Sequence, residues 1–155
     1  YPWMKRLTYW PQLFLGLTFN IGVIMGSASV TDHIHYSALI LYGAAVLWTI
    51  IYDTIYAHQD KSDDAIIGVK STALLFGEKT KLILSLFALA MMGLFALLGY
   101  NEDFGMMYYS VLSLAGMHMA WQILTLNIND QAHCLMLFKS NRWFGLMILV
   151  ALAVA

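Results

Sequence analysis

The chain has 155 residues, of which 61% are hydrophobic and 11% are charged, and its formal net charge is −1. Soluble domains carry about 25% charged residues, so a mean hydropathy of +0.69 leaves too little polar surface to cover a water-soluble globule. The nearly neutral charge gives no reason to expect nucleic acid as a partner. The single cysteine, Cys134, excludes a disulfide within the chain and a zinc site built from several cysteines.

Residues 1–6 lack an initiator methionine and are typical of the interior of a longer chain. Five apolar segments follow: residues 11–30, 36–57, 82–100, 104–126 and 143–155. A helix needs about 20 residues to cross the bilayer, so the first four are long enough, and the fifth is either cut short or continues a helix that begins near Asn141. Buried core helices are the alternative, but no amphipathic helices are present to surround them. The sequence therefore predicts an all-α, polytopic transmembrane bundle of about five membrane helices.

The basic residues all fall on one side of these five predicted spans. They are Lys5, Arg6, Lys61, Lys70, Lys79, Lys81, Lys139 and Arg142. The connections on the other side contain Asp, Glu, His and Asn but no Lys or Arg. Because loops on the inner side of a membrane are enriched in Lys and Arg, we predict that residues 58–81 face the cytoplasm, or the matrix if the membrane is mitochondrial.

An acidic face is predicted where the second span runs into residues 58–64. If the helix continues, its period of 3.6 residues brings four carboxylates and a phenol to one side. They are Asp53, Tyr56, Asp60, Asp63 and Asp64. A charge at the depth of Asp53 is costly in a membrane, and like charges on one face repel each other. A bound cation explains this face, whereas the alternative is a solvated helix end formed by Asp60, Asp63 and Asp64 with Lys61.

The ligand types point to the identity of that cation. Oxygen ligands without cysteine favour Mg²⁺ or Ca²⁺ over Zn²⁺, and Mg²⁺ commonly binds one or two carboxylates together with substrate phosphates. Asp53 and Asp60 are the predicted metal ligands, with Asp64 as a supporting carboxylate. Lys61 and Lys70 lie close enough in the sequence to neutralise phosphate oxygens. The pattern indicates a diphosphate held through magnesium at the membrane surface.

Four elements, in this order, resemble those of the UbiA superfamily of prenyltransferases and most closely its 4-hydroxybenzoate polyprenyltransferases. Residues 1–12 are similar to a YPxMKR segment followed by TY and PQ. Residues 53–60 resemble the second aspartate-rich motif, DxxYxxxD, and residues 63–73 resemble the IGxKSTA signature. Residues 141–145 resemble a closing NxWxG element. Together the four elements extend over essentially the whole chain.

The resemblance implies a fold of nine membrane helices around a central cavity, in which residues 1–155 form the C-terminal part of one domain. It implies Mg²⁺-dependent transfer of a polyprenyl group from polyprenyl diphosphate to the ring carbon ortho to the hydroxyl of 4-hydroxybenzoate, in ubiquinone biosynthesis. The expected location is a bacterial or mitochondrial inner membrane. The first aspartate-rich motif of the family has no counterpart here, so the chain alone is expected to be inactive and to need the N-terminal helices of the same enzyme.

The resemblance also implies roles for individual residues. Asp53 and Asp60 are expected to act in catalysis as metal ligands, and Tyr56 is expected to shape the site. Lys70 and Arg6 are candidates for binding anions, and Arg6 either holds the benzoate carboxylate or anchors the chain at the membrane surface. The aromatic faces of Trp48, Tyr52 or Tyr56 are suited to stabilise an allylic cation. Among the polar residues of the first span, Asn20 is expected to bond within the cavity or to pack between helices.

Two other functional classes stay open at this point. A transporter or channel fragment would use Asp53 and Asp60 as a cation pathway, but the carboxylates cluster beside Lys61 and Lys70, which favours the enzyme. A structural membrane subunit leaves the acidic face without an explanation. His58 is predicted to be a polar surface residue rather than a ligand.

Overall fold

The computed structural model describes residues 3–61, 66 and 68–155, and the regular elements within those ranges are all helical. The helices are α1 (Met4–Leu7), α2 (Pro11–Phe19), α3 (Ile21–Thr31), α4 (Tyr36–Ala57), α5 (Thr72–Phe76), α6 (Thr80–Asn101), α7 (Met106–Thr125) and α8 (Gln131–Ala153), with a 3-10 turn at Gly77–Lys79 between α5 and α6. This confirms the predicted all-α class.

Helices α4, α6, α7 and α8 form a ring in which each helix packs against the next and α8 returns to α4. Apolar side chains from all four helices fill its centre, and among the largest are Ile51, Met91, Met119 and Phe144. Helices α2 and α3 lie against the outside of α4. The ring places the C-terminal end of α4 beside the start of α6 and α8, and this end of the bundle holds the candidate site.

Four segments are long and apolar enough to cross a membrane: Pro11–Val30, Tyr36–Ala57, Thr72–Asn101 and Gln131–Ala153. They confirm the predicted polytopic membrane bundle. Helix α7 is not among them because its tyrosines, His118 and Gln122 reduce its hydropathy, so a span there stays a prediction. Only 6% of the Pro11–Val30 window is buried, and most of the surface of α2 and α3 therefore faces away from the ring.

Helix α8 begins at Gln131, about ten residues before the start near Asn141 that the sequence indicated. The Asp130 carboxylate accepts a hydrogen bond from the backbone N–H of His133 (3.0 Å) and caps the helix. Polar residues are frequent in this segment, which is typical of a loop, but its buried residues recur at helical spacing: Cys134, Leu137 and Asn141. Lys139 and Arg142 therefore lie inside a helix of membrane-spanning length. These two residues therefore lie in a helix and not in the predicted connection between two spans, whereas the side of the membrane on which the basic residues lie stays a prediction.

Helix α4 ends at Ala57, so the prediction of one helix continuing through residue 64 is wrong. The backbone N–H of His58 bonds to the carbonyl oxygen of Ile55 (3.3 Å), which is the tight spacing of a terminal turn. The His58 ring is buried and shares a hydrogen bond with Thr80 at the start of α6 (3.0 Å). Residues 58–60 form a turn, so the helical face ends here. Two predicted members of that face lie outside the described residues: Asp63 and Asp64.

Candidate functional site

The predicted catalytic residues lie where α4 ends. Asp53 and Tyr56 are three residues apart on the last turns of α4 and therefore share one side of the helix. The Tyr56 ring packs against Phe138 of α8, with ring centroids 4.7 Å apart. Asp60 follows in the turn after the helix, and both carboxylates are partly buried. The joint binding of one metal ion by Asp53 and Asp60 stays a prediction.

A buried polar junction joins the start of α2 and the segment 70–73 to the end of α4. The Gln12 side-chain oxygen accepts a hydrogen bond from the backbone N–H of Thr72 (3.1 Å), and the Thr72 and Thr54 hydroxyls share a hydrogen bond (2.6 Å). None of the three residues is more than 1% exposed. Because Thr54 directly follows Asp53, this Gln12–Thr72–Thr54 junction fixes the segment 70–73 next to a predicted metal ligand. No local pattern in the sequence indicates the junction, since its partners lie 18 and 60 residues apart.

Lys70 and Arg6, the two predicted anion-binding residues, are brought to one place. The backbone N–H of Lys70 donates to the carbonyl oxygen of Lys5 (2.7 Å). The Lys70 ammonium donates to the carbonyl oxygen of Leu7 (3.3 Å) and lies 5.3 Å from the centroid of the Tyr9 ring. Arg6 lies between Lys5 and Leu7, and its side chain is exposed. The contact of the segment around Lys70 with α1 therefore forms a basic surface.

A cleft of about 390 Å³ opens between the α2–α3 junction, α4 and α8. The rings of Trp48, Tyr52 and Phe138 line it, and Lys139 and Arg142 lie on its α8 side. A charged side chain inside a membrane helix is costly, so these two residues are candidates for a functional role. Sequence reasoning missed these two residues as cleft residues because it placed them in a loop.

Asn20 occupies the break between α2 and α3 at the edge of this cleft. Its amide nitrogen donates to the carbonyl oxygen of Gly16 (2.8 Å) and to the hydroxyl of Thr49 on α4 (2.8 Å). These bonds give Asn20 the packing role between helices that the sequence left open. Its predicted contact with a substrate stays a prediction.

His58 is not the polar surface residue that the sequence indicated, because it is only 2% exposed. Its Nε2 atom lies 3.0 Å from the Thr80 hydroxyl. Burial, with a smaller contribution from the positive charge of Lys61, lowers the pKa of His58 to about 4. Near neutral pH the ring is therefore neutral and joins α4 to α6 as a hydrogen-bonded group.

The low pKa of His58 predicts a loss of stability in mild acid. A histidine in the unfolded chain has a pKa of about 6.5, so between pH 6.5 and about 4 the unfolded state binds a proton that the folded state does not. The contribution of His58 to the free energy of unfolding should therefore be constant above pH 6.5 and fall as the pH falls towards 4. Thermal unfolding in detergent, followed by circular dichroism, measures this slope.

The matched comparison for this prediction uses two histidines. His58→Gln keeps a hydrogen-bonding side chain but does not titrate, so the slope between pH 6.5 and 4 should flatten. His33→Gln, in the exposed connection before α4, is the control, because it replaces a histidine and leaves the His58–Thr80 contact in place. An unchanged slope in His58→Gln would assign the acid sensitivity to other groups.

The donor types near the end of α4 fit magnesium. The side chains concerned, Asp53 and Asp60, supply carboxylate oxygens, which Mg²⁺ prefers. Within residues 3–61, 66 and 68–155, no group of three or more His, Cys, Asp or Glu side chains is arranged to hold a metal ion. Binding of Mg²⁺ by Asp53 and Asp60 therefore stays a prediction that rests on the type of their donor atoms.

Comparisons with known proteins place the chain in a family. The model of the family described as "UbiA prenyltransferase family" matches residues 1–152. The chain is 53% identical over 153 residues to the mitochondrial 4-hydroxybenzoate polyprenyltransferase of Bos taurus. The aligned region covers 98% of the chain and 41% of that relative. It is 50% identical over 149 residues to the protein of the same name from Arabidopsis thaliana, covering 96% of the chain and 37% of the relative.

The chain is also 49% identical over 153 residues to the human protein of that name, and the aligned region covers 98% of the chain and 41% of that relative. No solved structure matches the chain. The chain spans about two fifths of the length of these curated relatives. Because the family model matches nearly the whole chain, the assignment does not depend on that partial coverage of the relatives. The chain belongs to the UbiA prenyltransferase family.

Proposed function

We propose that the complete protein containing this chain transfers a polyprenyl group from polyprenyl diphosphate to 4-hydroxybenzoate, at the ring carbon ortho to the hydroxyl, as a step of ubiquinone biosynthesis. The observation that carries the proposal is identity of about half of the residues, over nearly the whole chain, to proteins named for this substrate. The names of those relatives also support a mitochondrial location, and we propose that the protein lies in the inner membrane with residues 58–81 facing the matrix. The chain alone is expected to be inactive, because the first aspartate-rich motif would come from N-terminal helices of the same enzyme.

The diphosphate would be bound at the end of α4. Asp53 and Asp60, supported by Asp64, would hold Mg²⁺, which when bound supplies Lewis-acid stabilisation of the negative charge on the leaving diphosphate. Lys70 and Lys61 neutralise phosphate oxygens as point charges. The Gln12–Thr72–Thr54 junction supports this arrangement, because it fixes the segment that contains Lys70 beside the turn that contains Asp53.

The transfer itself is a substitution at the allylic carbon. The carbon–oxygen bond breaks with its electron pair going to the diphosphate, the electron-rich ring of 4-hydroxybenzoate forms the new carbon–carbon bond, and the ring proton at that position is lost. The aromatic faces of Trp48, Tyr52 and Tyr56 stabilise the positive charge that develops on the allylic group. The guanidinium of Arg6 is suited to the benzoate carboxylate because it can donate two parallel hydrogen bonds. Asn20, at the edge of the cleft, is the remaining residue that we propose to bind substrate.

The test uses membranes that contain the complete protein, supplied with 4-hydroxybenzoate, a polyprenyl diphosphate and Mg²⁺. We expect a prenylated product whose mass and ring-proton NMR spectrum identify the position ortho to the hydroxyl. Chelation with EDTA should abolish its formation, and excess Mg²⁺ should restore it. The proposal fails if the complete protein inserts into the membrane and forms no product, or if EDTA leaves the rate unchanged.

A further inference from the structure

The closing element at residues 141–145 has no role in the mechanism so far, yet two of its members contact the same ring on α4. The Trp48 indole N–H donates a hydrogen bond to the side-chain oxygen of Asn141 (2.9 Å). At the other end of the indole, a Cβ atom added to Gly145 would lie 2.8 Å from the Trp48 Cη2 atom. At such a distance something must shift, so a side chain at position 145 would push the far end of the indole out of its observed place.

We propose that Asn141 and Gly145 are positioning residues for prenyl transfer, which fix Trp48 as a rigid wall of the cleft facing the allylic group. The inference rests on the proposed function and assigns a role that the resemblance does not give to these residues. A ring stabilises a neighbouring cation only when its face is directed at the charge. A group that is already oriented costs no reorganisation when the charge develops.

The sides of the indole are also held. The Trp48 ring packs edge to face with Tyr52, with centroids 5.7 Å apart and an interplanar angle of 79°. It also packs against Phe144 of α8, at 5.2 Å. Trp48 and Tyr52 both line the cleft. The hydrogen bond to Asn141 and the packing against Tyr52 and Phe144 therefore fix the orientation of the indole ring relative to the cleft.

Asn141 is itself held in a single orientation. Its amide nitrogen donates to the side-chain oxygen of Gln122 (3.0 Å) and to the carbonyl oxygen of Leu137 (3.1 Å). The amide has two hydrogens, and both are used, so its oxygen is the atom left to face the indole N–H, which can only donate. The Gln122 amide nitrogen in turn lies 3.2 Å from Nδ1 of His118.

Burial makes this chain of hydrogen bonds hard to rearrange. Asn141 is 6% exposed and Gln122 is fully buried, and a buried polar group that loses its partner carries the full cost of desolvation. Flipping Asn141 would direct an N–H at the N–H of Trp48 and an oxygen at two acceptors. The network therefore has one low-energy arrangement, and that arrangement orients Trp48.

The first experiment measures kcat and KM for both substrates in the complete protein with Asn141→Leu or Gly145→Ala. Each change should lower kcat about tenfold, a loss between the values of cation–π interactions at exposed and at desolvated sites. Both KM values should stay within about twofold of wild type, because the loss is confined to the transition state. Gly93→Ala is the matched control. Nothing in the described part of the chain lies within 4 Å of a Cβ atom at Gly93, so kcat should not change.

The second experiment separates positioning through Trp48 from a general loss of structure. In a Trp48→Phe background the indole N–H is absent, so Asn141→Leu should produce no further fall in kcat, whereas in the wild-type background it should produce the full fall. If Asn141→Leu does not insert, the same comparison is made with Gly145→Ala, because phenylalanine lacks the part of the indole that a Cβ atom would strike.

Two results would overturn the inference while the proposed function stands. In the first, wild type and both variants prenylate 4-hydroxybenzoate at equal kcat. In the second, kcat falls by the same factor in the wild-type and Trp48→Phe backgrounds, which would make the effect structural. If wild type itself forms no product, the proposed function fails and this inference fails with it.

Discussion

Asp53→Asn in the complete protein should lower the rate of 4-hydroxybenzoate prenylation by roughly 100-fold or more, the size of effect seen when one electrostatic partner of a developing charge is removed. Asparagine has nearly the shape of aspartate but no negative charge. It therefore weakens binding of a divalent cation while leaving the packing of α4 intact. The measurement is kcat in membranes, at several Mg²⁺ concentrations, for equal amounts of inserted protein.

The position of Asp53 is the reason for expecting a large effect. It lies within the last two turns of a 22-residue helix of membrane-spanning length, where a charge is costly unless it is compensated. Asparagine keeps the shape of the side chain, so the melting temperature separates a role of the charge in stability from a role in catalysis. An unchanged melting temperature together with a large fall in kcat would assign the carboxylate to catalysis rather than to stability.

Asp103→Asn provides the matched control. Asp103 is exposed in the connection between α6 and α7 and has a backbone φ of 52°, a conformation that asparagine tolerates as well as aspartate. This variant should turn over at the wild-type rate. Full activity of Asp53→Asn would instead remove the acidic motif from the reaction and favour a cation pathway or a structural role.

The long apolar elements were predictable because their information is local. The bounds of α4 and the start of α6 agree with the sequence to within two residues, since a run of about 20 apolar residues dictates a helix in a membrane whatever surrounds it. The acidic motif was also predictable, because the sequence shows a charged residue, Asp53, inside an apolar segment, where a charge is energetically costly.

The elements that were mispredicted depend on contacts between distant residues. At the end of α4, His58 is buried against Thr80, 22 residues away, and no local pattern in the sequence indicates this contact. The polar start of α8 is helical partly because Asn141 finds buried partners in Trp48 and Gln122. A polar residue in the sequence is compatible with an exposed loop or with a buried hydrogen-bond network. Which of the two it forms depends on whether a distant residue supplies a hydrogen-bonding partner.

Gln12→Leu tests whether the Gln12–Thr72–Thr54 junction supports both the fold and the site. Leucine fills a similar volume but leaves the Thr72 backbone N–H without its acceptor (3.1 Å in the wild type). An unsatisfied buried donor costs about 1–3 kcal/mol, so the melting temperature should fall. Gln131→Leu, at an exposed glutamine in the first turn of α8, is the matched control and should leave the melting temperature unchanged.

The kinetic effect of Gln12→Leu should fall on the diphosphate. Releasing Thr72 from α2 loosens the segment that contains Lys70, so the KM for polyprenyl diphosphate should rise by about tenfold, the equivalent of one weakened charge-assisted contact, while the KM for 4-hydroxybenzoate changes little. Equal rises in both KM values would indicate general loosening of the bundle. The informative result is a rise in KM for polyprenyl diphosphate alone, which Thr54→Val, on the other side of the junction (2.6 Å), should reproduce. That result would mean that the hydrogen bond between α2 and the segment 70–73 positions Lys70 for the leaving diphosphate.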